Sequence, residues 1–239
     1  MKQTRLIKGE TKLVMPYKNG ELASIYPLLG PNDYQVLGAE IIRRKQLMPT
    51  GDYTAFLIHP AYCHQEIKNE PESIELKGKI KSNYLYVFNR NLWTPKGVYV
   101  LMDEKAVGIS QPLDENKLEK MLKGGKEKNG IIFNKDERLR FAPKGSYRFG
   151  EHTSESLSKD GFVIASYNVD GAKKLGEVSG IFQNSPMTFG LKISESQKVQ
   201  QRVSVLSSYW NVLRLGLYGD GVGVDWSGFA FGVRRAKKF

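Results

Sequence analysis

A chain of 239 residues, 40% hydrophobic and 26% charged, can bury a proper core and has the balance of a globular protein: one large domain, or one domain with a smaller N-terminal appendage. Its opening, MKQTRLIKGETKLVMPY, has no apolar run of the secretory type, and no stretch approaches the roughly 20 apolar residues that span a bilayer, so a cytoplasmic location is the default. The single cysteine, Cys63, excludes an intrachain disulfide and any zinc site built on several thiolates, while the formal net charge of +11 asks for an anionic partner.

The first third reads as mainly helical. In NDYQVLGAEIIRRKQLM, Asn32 and Asp33 are cap candidates ahead of Val36, Leu37, Ile41 and Leu47 at near-helical spacing. PTGDYTAFLIHP restarts a helix with Asp52 as N-cap, and Pro60 argues for a stop. YLYVFNRNLW and GVYVLMD then form a hairpin turned by Thr94-Pro95-Lys96-Gly97. LDENKLEKMLKGGKEKNG is a short helix with a polar loop, and GIIFNKDERLRFAP a second hairpin. KDGFVIASYN is strand or buried helix, which apolarity alone does not decide. VDGAKKLGEVSGIF places Ala172, Leu175, Val178 and Phe182 on one helical face behind Asp170. FAFGVRR alternates, Phe229, Phe231 and Val233 against Ala230, Gly232 and Arg234, as a half-buried strand does. Helices and strands in mixed order, without βαβ regularity, make the fold class α+β.

Catalytic patterns fail one by one. Gly219 and Gly221 begin a dinucleotide fingerprint, but Val224 stands where its third glycine belongs and an apolar strand follows. In KGGKEKNG, Glu127 replaces the hydroxyl a phosphate-binding loop needs. Asp220 and Asp225 lack the alternating oxygens and closing glutamate of a calcium loop, so calcium would need carbonyl help. His59, Cys63 and His64 read as unrelated side chains after a helix end, and His152 as a loop or cap residue. Asp103-Glu104 and Asp136-Glu137 read as solvated turns. The expectation is therefore no enzyme, no catalytic residue, no metal and no cofactor.

Residues 207–228 have a different character. These 22 positions hold five Gly, three Ser, two Tyr, two Trp and three Asn or Asp, and no His, Cys, Lys or Glu. Rings give contact area at low entropic cost and small polar residues adapt their hydrogen bonds, which is the composition of a binding surface. The alternative is a closing β-meander with Tyr209, Trp210, Tyr218 and Trp226 in the core. Five glycines weaken that alternative, since they make poor strand interiors. Leu215, Leu217, Phe229, Phe231 and Val233 suffice as a buried skeleton, and Arg214 reads as an ion-pair or carbonyl partner.

The run YWNVLRLGLYGDGVGVDWSGFAFGVRR resembles the C-terminal variable region of diversity-generating retroelement variable proteins, the archaeal ones in particular. Trp210, Arg214-Leu215 and Gly228 to Arg234 stand at matching places, and VFNRNLWTPKGVYV and RFAPKGSYRFGEHT are similar to upstream segments. The likeness is best over about the last 30 residues, extends back to about Tyr84 and does not place the first 50. It implies a C-type-lectin-like fold over 66–239 with a hypervariable ligand-binding region at about 203–235, while the pattern of the first third gives a mainly helical segment over 1–65 packed on it. The displayed positions it implies are Ser208, Tyr209, Asn211, Val212, Leu213, Gly216, Tyr218, Asp220, Val222, Val224, Trp226 and Ser227. The scaffold beneath them would be Trp210, Arg214, Leu215, Leu217 and Phe229 to Arg234, Phe231 included. The implied partner is a variable ligand, a protein or cell-surface macromolecule. The related formylglycine-generating enzymes work through paired cysteines, which the lone Cys63 disfavours. Nucleic-acid binding is the second reading, from the net charge and from Tyr and Trp that could stack on bases; it is weakened by the spread of Lys and Arg along the chain, whose sharpest cluster, RRAKK, is at 234–238.

Overall fold

The run YLYVFNRNLWT forms strand β4 (Tyr84–Thr94), and all but its first residue is buried. Alternate side chains leave a strand on opposite faces, so a strand apolar on both must be covered on both. Leu85, Val87 and Trp93 enter one core, while Tyr86 and Phe88 enter a second across the sheet. The computed structural model describes residues 5–7, 12–18, 20–208, 213–222 and 227–235. Among these, 13 strands form one mixed sheet around β4.

β11 (Gln200–Ser207) runs antiparallel along one edge of β4. Two strands share the other edge: β13 (Gly228–Arg235) parallel to its first residues, and β5 (Gly97–Met102) antiparallel to Asn89–Thr94. Outside β13 lie β3 (Gly20–Asn32), β2 (Lys12–Tyr17) and β1 (Arg5–Ile7). Outside β11 lie β12 (Gly216–Gly221), β10 (Met187–Phe189) and β9 (Gly150–Glu151). From β5 the sheet continues through β8 (Leu139–Pro143) and β7 (Ile131–Phe133) to β6 (Lys126–Lys128).

Six helices among the described residues cover this sheet. Four of them, α2 (Gly51–Cys63), α3 (Pro71–Ser82), α5 (Ser154–Lys159) and α6 (Gly161–Ser179), pack on the first core. α1 (Tyr34–Arg43), with a 3₁₀ turn at Gly108–Ser110, covers the second. Leu118 of α4 (Glu115–Leu122) closes a smaller third core with Leu92, Tyr99 and Leu139. The element order is that of an α+β protein.

The structure differs from the sequence reading at several places. Residues 5–7, 12–17 and 20–32 are strands, so 1–65 is not a mainly helical appendage. β3 pairs with β13 along its length, which makes this segment part of the main sheet. α2 is capped at Thr50, not Asp52, and runs through Pro60 to Cys63. KDGFVIASYN is buried helix and joins the helix behind it in α6, with a break at Asn168 (φ 64°, ψ 167°), where its own side-chain oxygen accepts the Val169 N–H at 2.7 Å. FAFGVRR is buried on both faces: Phe229, Phe231 and Val233 enter the first core and Ala230 the second. Asp103 is not a solvated turn residue. It is 2% exposed and accepts from the Tyr34 hydroxyl (3.0 Å) and the Gly108 N–H (2.7 Å).

One buried ion pair ties three elements together. The Arg140 guanidinium of β8 lies 2.7 and 2.8 Å from the two carboxylate oxygens of Asp52 in α2, with both side chains under 5% exposed. Arg140 also donates to the carbonyls of Ala165 in α6 and Glu137, and Asn168 donates to Asp52. Removing one member of such a pair strands a charge in the interior, and the effect is about 3–5 kcal/mol. Urea unfolding of Arg140→Met should therefore show a loss of about that size, and the double variant Asp52→Leu/Arg140→Met a loss well short of the two single effects summed.

Candidate functional site

The C-terminal window forms β12, the start of β13 and two connections, 208–215 and 222–227. The first is clamped at both ends by backbone groups. At its start, the Ser208 N–H donates to the Ile80 carbonyl at 2.8 Å, and the Ser207 hydroxyl donates to the Asn83 carbonyl at 2.9 Å. Ile80 lies in the last turn of α3, whose carbonyls have no partner within the helix. At its end, the Leu213 carbonyl accepts from the Asn184 N–H (2.8 Å) and the Leu215 carbonyl from the Met187 N–H (2.9 Å). Arg214 ion-pairs with Glu151 of β9 and also reaches the Met187 sulfur.

The expected display positions divide. Leu213 is 43% exposed and Ser227 is exposed, while Asp220 and Val222 are half-buried. Ser208, Gly216 and Tyr218 do not face solvent: Ser208 is 2% and Tyr218 8% exposed, and Gly216 is buried. The Tyr218 ring stacks on Phe189 at 4.4 Å, meets Tyr84 edge-on and fills the place a side chain on Gly216 would need. Burial pushes its hydroxyl up to about 12. Burial also raises the Asp220 carboxyl, one of whose oxygens has no hydrogen-bond partner among the described residues. Leu215, Leu217, Phe229 and Phe231 are buried, Arg214 is half-buried and Arg234 exposed. Tyr209, Trp210, Asn211, Val212, Val224 and Trp226 lie outside the described residues.

The glycines of β12 serve packing, contrary to their reading as poor strand interior. A Cβ on Gly219 would sit 2.4 Å from the Phe162 ring and 2.8 Å from Trp93. Its carbonyl accepts from the Trp93 indole N–H (2.8 Å) and the Asn91 amide (3.0 Å). The missing side chain makes room for an indole, not for a phosphate.

Beside the first connection, a groove of about 550 Å³ runs between α2, α3 and the chain after α6, and Leu213 is part of its wall. Lys68, Lys77 and Lys81 line it, Tyr62 and Phe182 pair at 5.4 Å within it, and no carboxylate lines it among the described residues. Lys77 donates to the Lys68 carbonyl and lies 5.9 Å from the Tyr62 ring centre. Burial, then the neighbouring Lys68 and Lys81, lowers its pKa. Lys77 and Lys81, four apart on α3, share a helical face, but Lys68 joins them only through the packing of α3 against the chain after Cys63, which sequence spacing does not show.

The histidines are less scattered than the sequence suggested. Because α2 continues through Pro60, His59 and Cys63 share a helical face, and the His59 and His64 rings are 5.5 Å apart. His59 Nε2 meets Glu177 of α6 at 2.5 Å. Burial, with Glu177 nearby, raises the Cys63 thiol, the wrong direction for a nucleophile. No group of three His, Cys, Asp or Glu side chains is placed to hold a metal ion among the described residues. His152 is buried and bonds the Thr188 hydroxyl at 2.9 Å. No helix among the described residues is long and apolar enough to cross a membrane.

No family model matches this chain, and neither does any curated protein. A solved structure described under "Accommodation of massive sequence variation in Nanoarchaeota by the C-type lectin fold" is similar over 88% of this chain and 98% of its own, with 12% identity and a TM-score of 0.49.

His59, His64 and His152 all have pKa values lowered, first by burial, so the folded chain holds them neutral. The unfolded chain then binds protons more readily, and the stability they contribute is complete above about pH 6.5 and is lost on acidification below it. Urea midpoints should fall from pH 7 to pH 5, and His152→Gln should lessen that fall.

Proposed function

We propose that this chain is a non-enzymatic ligand-binding protein of C-type-lectin-like architecture whose C-terminal segment carries interchangeable contact residues. The observation that supports this most is the clamp on 208–215. Its anchors are the Ser208 N–H and the Leu213 and Leu215 carbonyls, groups that every residue except proline supplies. Side chains between them can change without removing an anchor. Exposed substitutions on such a framework usually cost within about 0.5 kcal/mol, so contacts to a ligand can be exchanged while the core stays intact.

On this reading the displayed set is Tyr209, Asn211, Val212, Leu213, Val222, Val224, Trp226 and Ser227, with Asp220 at its margin. Ser208, Gly216 and Tyr218 support it from below. The resemblance to retroelement-diversified proteins adds the source of change: adenine-directed substitution in the codons of this segment. The ligand is a protein or a cell-surface macromolecule, and the lysine groove beside Leu213 favours an acidic one.

Two measurements test this. Randomising 209 and 211–213 together should shift the melting temperature by only a few degrees, whereas replacing Leu217 or Phe231 by Asp should prevent folding. Sequencing the gene's 3′ end across a population should find changes concentrated at adenines of the displayed codons; a uniform sequence there counts against diversification. Binding of single-stranded nucleic acid that weakens steeply with salt and ignores changes at 209–213 would replace this reading with the nucleic-acid one.

A further inference from the structure

The Ser208 clamp lies at the Tyr84 end of β4. At the Thr94 end is a separate cavity of about 490 Å³, within the range of small-ligand sites. Its walls are the half-buried rings of Tyr147 and Phe149 with Leu191 and Ile193. Behind them stands the fully buried Trp93, 5.8 Å from the Tyr147 ring and 5.5 Å from Phe149. These walls are held in place. The indole is fixed to the Gly219 carbonyl, the Arg148 N–H donates to Asp160 at 3.0 Å, and the Arg148 carbonyl accepts from Thr188 at 2.8 Å. A preformed apolar cavity loses little entropy in ordering itself around a guest.

The charged residues that line it are all positive. Lys144, Arg148 and Lys192 line the cavity, all three are exposed, and no acidic side chain does. Some exposed cations elsewhere on this chain take carboxylate partners, as Arg43 does with Glu40, Lys96 with Glu119 and Arg138 with Asp136. Among the described residues none of the three rim cations forms an ion pair. An apolar body suits the walls, and a single anionic group suits the rim, where the planar Arg148 guanidinium matches a carboxylate. A nucleotide fits poorly, since its base and sugar would bring many polar groups to walls that offer few partners.

We propose that this cavity is a binding site for a small hydrophobic carboxylate, independent of the C-terminal display segment. Calorimetric titration of the full chain with 2-naphthoate and with decanoate tests it, since the first carries a ring and the second a chain behind the same anion. At least one should bind at a single site with Kd below about 1 mM, and the tighter of the two identifies the body preferred. 2-Naphthylmethylamine, with the same ring and the opposite charge, should not bind. The triple variant Lys144→Gln/Arg148→Gln/Lys192→Gln, exposed and so expected to keep the fold, should weaken binding by about tenfold or more. Ser194→Trp, which plugs the cavity from its rim, should abolish it, and randomising 209 and 211–213 should leave it unchanged. The proposal is overturned if neither anion binds, if the amine binds as well as naphthoate, or if the triple variant binds within twofold of the parent.

Discussion

Everything in this molecule is organised by a strand that has no free side. β4 is bonded along both edges and apolar on both faces, so helices must cover the sheet on either side of it. Polar groups on so enclosed a strand must find partners within the protein. Asn91 and Trp93 do so by reaching past β11 to the Gly219 carbonyl of β12. That link makes three strands one rigid unit, and the residues of β12 are fixed from beneath before any side chain near the surface is chosen.

The positive charge is likewise better described by place than by sum. Two cavities at opposite ends of β4 have lysines or arginine at their margins and no carboxylate among their described lining residues. Other cations are spent on structure: Arg140 in the interior with Asp52, Lys79 4.2 Å from the Phe229 ring centre, Arg214 with Glu151. Part of the net charge of +11 thus lies at local hollows, with Lys144, Arg148 and Lys192 at one and Lys68, Lys77 and Lys81 at the other.

Local signals were legible where the partner is near in sequence. The Thr94–Gly97 turn between two β-rich runs announces β4 and β5, and the alternation of FAFGVRR announces β13. What the sequence concealed depends on distant partners. β3 carries no helical or strict two-residue period, because its pairing with β13 lets it be buried at consecutive positions. The glycines of β12 look like loop residues until the indole of Trp93 and the ring of Tyr218 are seen against them. Asp103 looks like half of a solvated pair until Tyr34 reaches it. The candidate segment was recognisable by composition, but which of its side chains face inward follows from stacking on Phe189, a residue in β10 that no local pattern connects to Tyr218.

The place of β13 has a consequence for how errors are handled. It lies between β3 and the start of β4, yet it follows the candidate segment in the chain. A premature stop or a shifted reading frame anywhere in 209–226 would delete or scramble β13, leaving β3 without its partner and the start of β4 uncovered. A long unpaired strand edge is a template for aggregation. Reading through in frame to the end of β13 is therefore a condition for closing the sheet, whatever residues stand in the segment before it.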